Sequence, residues 1–166
     1  MDESESNNVD IKEKSLFISR SAKVNGNVNI APGGGANIGG SITGNVNIHG
    51  GNFNNYDGLR LKIEGTLIAD KYADFIVGDA GASYYHGNSA FISIAYDTHI
   101  SNGAQIGEQY PLIMGSNTTS ATLTVDNGIT LGDGVKIFNH KYNVIKINGA
   151  LNLKGGLIIL PIIIKT

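Results

Sequence analysis

The chain has 166 residues, a formal charge of -2 and a pI of about 6.0, so it lacks the basic excess that binds nucleic acid or anionic lipid. It has no cysteine, which excludes disulfides and thiolate metal sites. Glycine reaches 23 residues, roughly twice the usual share, and Asn and Ile are also frequent. Gly and Asn tolerate left-handed turns while Ile favours strands, so this composition indicates many short strands joined by tight turns.

The first segment, residues 1–14, is charged and poor in apolar side chains, which predicts a disordered leader. It lacks the basic start and the apolar run of a secretory signal. Residues 15–166 are expected to form a single domain. Near its end, residues 157–164 are strongly apolar, but this run is too short to span a bilayer as a helix and contains Pro161.

From residue 16 onward, apolar and polar residues alternate, which predicts strands. No segment keeps a helical period over three turns, because Gly interrupts every candidate window. The predicted strand runs after the first third of the chain are residues 59–69, 75–77, 91–95, 112–114, 121–125, 135–138 and 142–153.

An internal repeat is the strongest signal. Residues 24–30 (VNGNVNI) recur as residues 42–48 (ITGNVNI), an offset of 18 residues, and fainter echoes occur at 63–67 and 147–153. Self-similarity at a fixed period is typical of solenoids, in which one coil cannot bury its apolar face alone. Eighteen residues at roughly 3.3 Å each can circle a small triangular section. The sequence therefore predicts an all-β, single-stranded parallel β-helix with Gly- and Asn-rich turns.

Stacking of the two repeat copies makes specific predictions about register. Apolar residues one period apart are expected to lie over one another, and Asn pairs are expected to form polar ladders on the outer face or in the turns. The predicted stacked pairs are Val24 with Ile42, Val28 with Val46, Ile30 with Ile48, Asn27 with Asn45 and Asn29 with Asn47.

Two glycine-rich segments suggest ligand loops but lack the required residues. In residues 32–40, a Gly-x-Gly-x-x-Gly motif that starts at Gly33 has Ile38 at its sixth position, and no helix follows. Gly39-Gly40-Ser41 has no phosphate-loop lysine, so a turn is favoured. In residues 50–58, aligning Gly58 with the invariant EF-hand glycine puts Phe53 at the first ligand position, so a calcium site of that type is excluded. No cofactor is expected.

The histidines and carboxylates do not form a recognisable catalytic or metal motif. His49, His86, His99 and His140 lack metal-ligand spacing, so each is expected in a turn or on the solenoid surface. Paired carboxylates would be needed for glycoside hydrolysis. The candidates Asp70, Asp74, Asp79, Asp126 and Asp133 have no accompanying Lys or Arg cluster and are expected to be solvated, so no enzyme activity, catalytic residue or metal ligand is predicted.

Polar and aromatic residues in two loops are candidates for surface contact, since aromatic residues are favoured at interfaces. Packing that anchors the loops is an equal alternative for the aromatic members. The candidate contact residues are Asn52, Asn54, Tyr56, Tyr84, Tyr85 and His86.

Three segments carry a resemblance to a known family. These are the Gly-Asn strand repeats at residues 26–30 and 44–48, the stretch at 100–113 that ends in Tyr110-Pro111-Leu112-Ile113, and residues 142–153. Together they resemble the passenger region of bacterial autotransporters, a pertactin-like right-handed β-helix.

The resemblance implies a surface-exposed or secreted adhesion module without catalysis, whose partner is a host surface protein or glycan. The charge predicts no nucleic-acid partner, and the short apolar run predicts no membrane insertion by this segment itself. Full-length family members carry a signal and a membrane translocator, so the chain is expected to be a fragment of such a protein. If the chain is complete as given, a cytoplasmic location is expected instead.

Two alternatives come from other classes. Bactofilins are short cytoplasmic β-helices that polymerise end to end, which would explain the size, the 18-residue period and the apolar end. The loops at 31–41 and 50–58 fit a uniform filament subunit poorly. A carbohydrate-active β-helix would need the carboxylate and basic constellation that the sequence lacks.

Overall fold

The computed structural model of the protein describes residues 5–6, 8–55, 60–70, 73–77, 91–107, 111–114, 120–132, 135–139, 143–153, 157–159 and 162–165. Among these residues every regular element is a strand. The strands are β1 (Glu5–Ser6), β2 (Val9–Ile11), β3 (Ser15–Val24), β4 (Val28–Ile30), β5 (Gly35–Ile42), β6 (Val46–His49), β7 (Asn52–Asn55), β8 (Leu61–Ile63), β9 (Leu67–Asp70), β10 (Asp74–Val77), β11 (Phe91–Ile94), β12 (Thr98–Ile100), β13 (Ala104–Ile106), β14 (Pro111–Met114), β15 (Thr122–Asp126), β16 (Ile129–Leu131), β17 (Lys136–Asn139), β18 (Val144–Asn148), β19 (Leu151–Leu153), β20 (Leu157–Ile159) and β21 (Ile162–Lys165).

The strands pair in parallel and wind into a solenoid with three faces. The first face is a seven-stranded sheet in the order β19-β16-β13-β9-β6-β4-β2. The second and third faces are joined into one larger sheet, because β3 and β5 are long enough to run across both. The second face continues with β7, β10, β11, β14, β17 and β20, and the third with β8, β12, β15, β18 and β21. The predicted all-β parallel β-helix is confirmed.

The register of the repeat is the predicted one. Val24 pairs with Ile42, and Val28 and Ile30 pair with Val46 and Ile48. The fainter echoes continue the same columns, since Ile63 pairs with Ile42 and Ile147 with Val125. Repeats that look degenerate in the sequence therefore occupy equivalent positions in successive coils.

Inward-facing side chains of all three faces form a continuous apolar core. Along each strand buried and outward residues alternate, as in Val28–Ile30 and Leu67–Asp70. Most core residues are Ile, Val or Leu, whose branched side chains pack well on a pleated surface. Phe53 and Phe75, on neighbouring strands of the second face, stack with ring centroids 5.0 Å apart and are fully buried. Each coil thus covers the apolar surface of the next.

The N-terminal segment differs from the sequence-based expectation of a disordered leader over residues 1–14. β2 pairs in register with β4, and Val9 and Ile11 are 8% and 5% exposed. One Val-Asp-Ile alternation is enough to contribute a strand when a preformed sheet edge is available to it. The solenoid therefore begins before residue 15.

One corner, between the third and first faces, has the same length in every coil for which both flanking strands are described. Residues 25–27, 43–45, 64–66 and 101–103 each separate an apolar residue of the third face from one of the first. At this corner the Oδ1 atom of Asn27 accepts a hydrogen bond from the backbone N–H of Asn45 (2.8 Å), and Asn45 accepts one from Thr66 in turn (2.8 Å). These amides satisfy backbone donors that a turn would otherwise leave unpaired.

A second ladder runs along the outside of the first face. Asn47 donates from Nδ2 to Oδ1 of Asn29 (2.8 Å), and Asn29 donates in the same way to Asp10 (2.7 Å). Both predicted Asn pairs, 27 with 45 and 29 with 47, are thus confirmed as polar ladders.

One coil contains an additional strand. After β10 the chain returns to the second face as β11, which pairs with β10 so that Asp74 lies opposite Phe91. The first and third faces have no counterpart at this level, since β9 pairs directly with β13 and β8 with β12. At this level the second face therefore has one strand more than its neighbours.

Deletion of residues 78–94 is expected to leave a folded solenoid. The 17-residue offset between β10 and β11 means that Ala95 would follow Val77 at the position Gly78 now occupies, and Leu67 would pair with Ala104 across a coil of ordinary length. Circular dichroism and thermal melting should show a parallel-strand spectrum and a cooperative transition. The matched control removes residues 84–100, also 17 residues, which eliminates β12 as well as β11 and should prevent folding. Loss of structure in the first variant would contradict the assignment of β11 as an insertion.

Candidate functional site

The longest connections of the described solenoid leave from one edge. β17, β14, β10 and β7 lie in the same parallel sheet, so their C-terminal ends share the edge between the second and third faces. From these ends start the connections 140–143, 115–121, 78–90 and 56–60, and the last three are longer than any other connection between consecutive strands. We call this the insertion edge. It contrasts with the uniform corner between the third and first faces.

Two of the six sequence-predicted contact residues lie on the second face. Asn52 and Asn54 lie on β7, where Asn52 is exposed and Asn54 half-buried. Tyr56, Tyr84, Tyr85 and His86 lie outside the described residues. Their segments are attached to β7 and β10, which are adjacent strands, so the register brings together attachment points that are distant in the sequence.

A hydrogen-bonded cluster joins three coils at the outside of the third face. Nε2 of His99 donates to Oδ2 of Asp126 (2.6 Å), and Nδ2 of Asn148 donates to Oδ1 of the same carboxylate (2.6 Å). The hydrogen bond from Asn148, followed by that from His99, lowers the pKa of Asp126, because both stabilise the charged form. The arrangement holds the carboxylate ionised and fixes the orientation of the imidazole.

A second histidine makes a similar pair on the first face. Nδ1 of His49 lies 2.9 Å from Oδ2 of Asp70, and both side chains are about half exposed. Asp74 follows on β10, so Asp70 and Asp74 face outward from different faces. Asp79, Asp133, His86 and His140 lie outside the described residues. Within the described ranges, no three His, Asp or Glu side chains are placed to hold a metal ion.

Replacement of Asn148 by Ala is expected to lower the free energy of unfolding at neutral pH by about 0.5 to 1 kcal/mol. This is the contribution of one hydrogen bond to a charged group, reduced because the pair is partly exposed to solvent. The folded pKa of Asp126 lies below its unfolded value of 3.8, so this stabilisation is present above that value and disappears as the pH falls through the folded pKa. Urea titrations at several pH values between neutral and strongly acidic measure it. The control is Asn152→Ala, which removes an amide that donates to the neutral hydroxyl of Thr130. Its effect on the free energy of unfolding should not depend on pH.

An open groove lies beside this cluster on the third face, with a volume of about 450 Å³. Its walls carry both signs of charge. Arg60 lies 3.6 Å from Asp97, and Lys62 lies 3.9 Å from Glu64. Because each cation already has an acidic neighbour, this third-face groove has little remaining charge for an ionic ligand.

Another open groove of about 280 Å³ lies where the uniform corner meets the first face. Its floor contains Gly103 and Gly128, and none of its lining residues is ionisable. We call it the corner groove. The polar side chains that line it are Thr66, Asn102, Gln105, Asn127, Thr130 and Asn152.

Sequence reasoning missed these arrangements because their members are not repeated. His99 and Asp126 are 27 residues apart, and Asn102 and Asn127 are 25 apart, whereas the visible repeat has a period of 18. The corner itself offered a signal: Ser101-Asn102-Gly103 and Asp126-Asn127-Gly128 are two copies of a polar-Asn-Gly pattern flanked by apolar residues. Aligning these copies would have placed His99 and Asp126 in adjacent coils.

The fold and surfaces together define the protein as a parallel β-solenoid with one edge of variable connections. Compared with protein-family models, curated proteins and solved structures, the chain matches none of them. In the described part of the chain, no helix has the length and apolar character needed to cross a membrane.

Proposed function

We propose that the chain works as a passenger-type β-helix of a bacterial autotransporter, exposed at the cell surface or secreted, and that it mediates adhesion without catalysis. The observation that carries the proposal is the insertion edge. A stiff stack of coils places the strand ends from which these connections start along one edge, which is a suitable arrangement for multiple weak contacts with one partner.

The composition of these connections supports the proposal. Residues 78–90 contain Gly, Ala, Ser, Asn, Asp, His and two adjacent tyrosines, and none of Ile, Val or Leu. Tyr supplies a large contact area at low entropic cost, and Ser, Gly and Asn supply adaptable hydrogen bonds, as in antibody loops. Such segments are suited to contact a partner more than to extend the apolar core.

The stack itself supports a mechanical role. Its core residues are almost all fully buried, and the inter-coil amide ladders leave few unsatisfied groups at the uniform corner. A continuous parallel core resists local opening, because each strand is held by neighbours on both sides. Two of the segments on which the resemblance to passengers rests, residues 26–30 and 44–48, contain the adjacent strands β4 and β6 of this stack.

Replacement of residues 79–89 by a Gly-Ser segment of equal length tests adhesion. Purified chain labelled with a fluorophore should bind cultured epithelial cells, and the replacement should reduce the bound fraction by about tenfold, the loss of one hot-spot cluster. The matched control replaces residues 115–119, which leave the same edge but contain no aromatic residue. Equal binding by both variants would contradict a role for the tyrosine-bearing connection.

Surface exposure has its own test. Protease treatment of intact source cells should remove the chain, and DNA downstream of its coding region should encode short alternating amphipathic strands of a translocator. A chain that stays protected until the cells are lysed would contradict the proposed location.

A further inference from the structure

The corner groove differs from the third-face groove in having polar walls without charge. One wall is formed by Asn102 and Asn127 at the corner, and the other by Gln105, Thr130 and Asn152 on the first face. The second set lies in register on consecutive strands β13, β16 and β19, so the groove runs along the solenoid axis.

The groove is confined to the later coils, because the corner sequence changes there. In the earlier coils the third corner residue is Asn27, Asn45 or Thr66, and the Asn side chains bond to the next coil. At the corners that precede β13, β16 and β19, the third residue is Gly103, Gly128 and Ala150. Side-chain amides occur there at the second position of the first two corners, in Asn102 and Asn127. The floor is then backbone and small side chains, with the amides standing at its side.

The wall side chains keep hydrogen-bonding capacity after their own contacts are counted. Asn127 donates to Oδ1 of Asn102 (3.1 Å) and Asn152 donates to the hydroxyl of Thr130 (3.3 Å). These bonds leave donors on Asn102 and Thr130 and acceptors on Asn127 and Asn152. Within the described part of the chain, no hydrogen bond uses the side chain of Gln105, which is exposed. Both walls therefore keep unused donors and acceptors.

We infer that the corner groove is a binding site for an uncharged, hydroxyl-rich glycan lying along the solenoid axis. Each glycan hydroxyl both donates and accepts, which matches walls of amides and hydroxyls. The absence of ionisable residues from the lining disfavours sulfated or uronate chains, which need Lys or Arg. A protein partner is less suited, because the lining lacks the aromatic and Arg anchors typical of such interfaces.

The inference rests on the proposed adhesive function and specifies the chemistry of one ligand. Neighbouring coils are about 4.8 Å apart, so an extended chain that follows the groove meets both walls in two successive coils, at Asn102 with Gln105 and at Asn127 with Thr130. Individual contacts are weak in such an open groove, and affinity is expected to grow with the length of the glycan.

Affinity electrophoresis of the whole chain in gels that contain a linear β-glucan, a galactomannan, dextran, alginate or chondroitin sulfate tests the inference. At least one of the three uncharged polymers should retard migration, and the two acidic ones should not. The double variant Gln105→Ala/Thr130→Ala should weaken the retardation constant by about tenfold, the loss of two hydrogen bonds. The matched control, Thr122→Ala/Thr124→Ala, changes the third-face groove and should bind like the unmodified chain.

Three outcomes would overturn the inference: no retardation by any uncharged polymer, equal retardation by acidic ones, or retardation that the Gln105→Ala/Thr130→Ala change leaves unaltered. If that variant melts at a lower temperature, a second variant, Ala150→Gln, takes its place in the test. Ala150 lies at the exposed rim of the groove, and the larger Gln side chain should block it. Cell binding that depends on residues 79–89 but not on the groove would retain adhesion and reject the glycan site. Retardation that depends on the groove, in a chain that does not bind cells, would support the glycan site and reject the adhesive function.

Discussion

Phe75→Ala is expected to lower the free energy of unfolding by about 3 to 5 kcal/mol, the cost of a large cavity in a core that cannot collapse around it. Phe75 is fully buried and stacks on Phe53 of the neighbouring coil, 5.0 Å away, so the substitution removes packing from two coils. Backbone hydrogen bonds between β7, β10 and β11 fix the distance between these coils and prevent them from closing the gap. The melting temperature, measured by circular dichroism, should fall by about 10 °C.

The matched control for this prediction is Ile68→Ala. Ile68 lies on β9 in the same coil, but its side chain is outward-facing and half-buried, so the change should cost about 1 kcal/mol or less. Similar losses for the two variants would contradict the assignment of Phe75 to the core. Because solenoids can unfold in parts, both variants are best compared by two probes of unfolding.

Gly44→Ala is expected to destabilise the protein by about 2 to 3 kcal/mol, even though alanine is a small residue. A Cβ atom at this position would overlap the backbone carbonyl of Gly26 and the side chain of Asn27 in the coil below. The coils cannot separate to admit it, because the N–H of Gly44 donates to the carbonyl of Gly26 (2.9 Å) and Gly44 in turn accepts from Gly65 (3.0 Å). The close approach of backbones at this corner therefore requires glycine.

Asn25→Ala is the control for the corner. Asn25 is half-exposed at the first position of the same corner in the preceding coil, and its substitution should change the free energy of unfolding by less than about 0.5 kcal/mol. Urea titration of the Gly44→Ala and Asn25→Ala proteins at the same pH measures their free energies of unfolding and tests the expected difference. A Gly44→Ala protein as stable as the Asn25→Ala protein would show that the corner can widen.

The parts of the fold that the sequence predicts are those in which one coil copies another. The pairs Val28 with Val46 and Asn29 with Asn47 follow from identical residues at a fixed offset, and the alternation of apolar residues sets which side faces the core. The N-terminal strand was missed, because three residues carry too little periodicity to be distinguished from a polar tail.

The remaining strand pairings could not be predicted from the 18-residue repeat, because the coils differ in length. The offset from one coil to the next is 18 residues between Asn29 and Asn47, 21 between Asn45 and Thr66, and 25 between Asn102 and Asn127. A pattern search at one period cannot follow such changes. The additional strand β11 lengthens one offset further, since Leu67 pairs with Ala104, 37 residues later.

The sequence by itself determined the class of fold, the inward and outward sides of the strands and the stacking of the GNVNI repeats, because these depend on local alternation and on residues that recur. Only the tertiary structure decided which surface residues meet. The insertion edge, the Asp126 cluster and the corner groove each combine side chains from different coils, and hydrogen-bonded register between parallel strands, not distance along the chain, sets those neighbours.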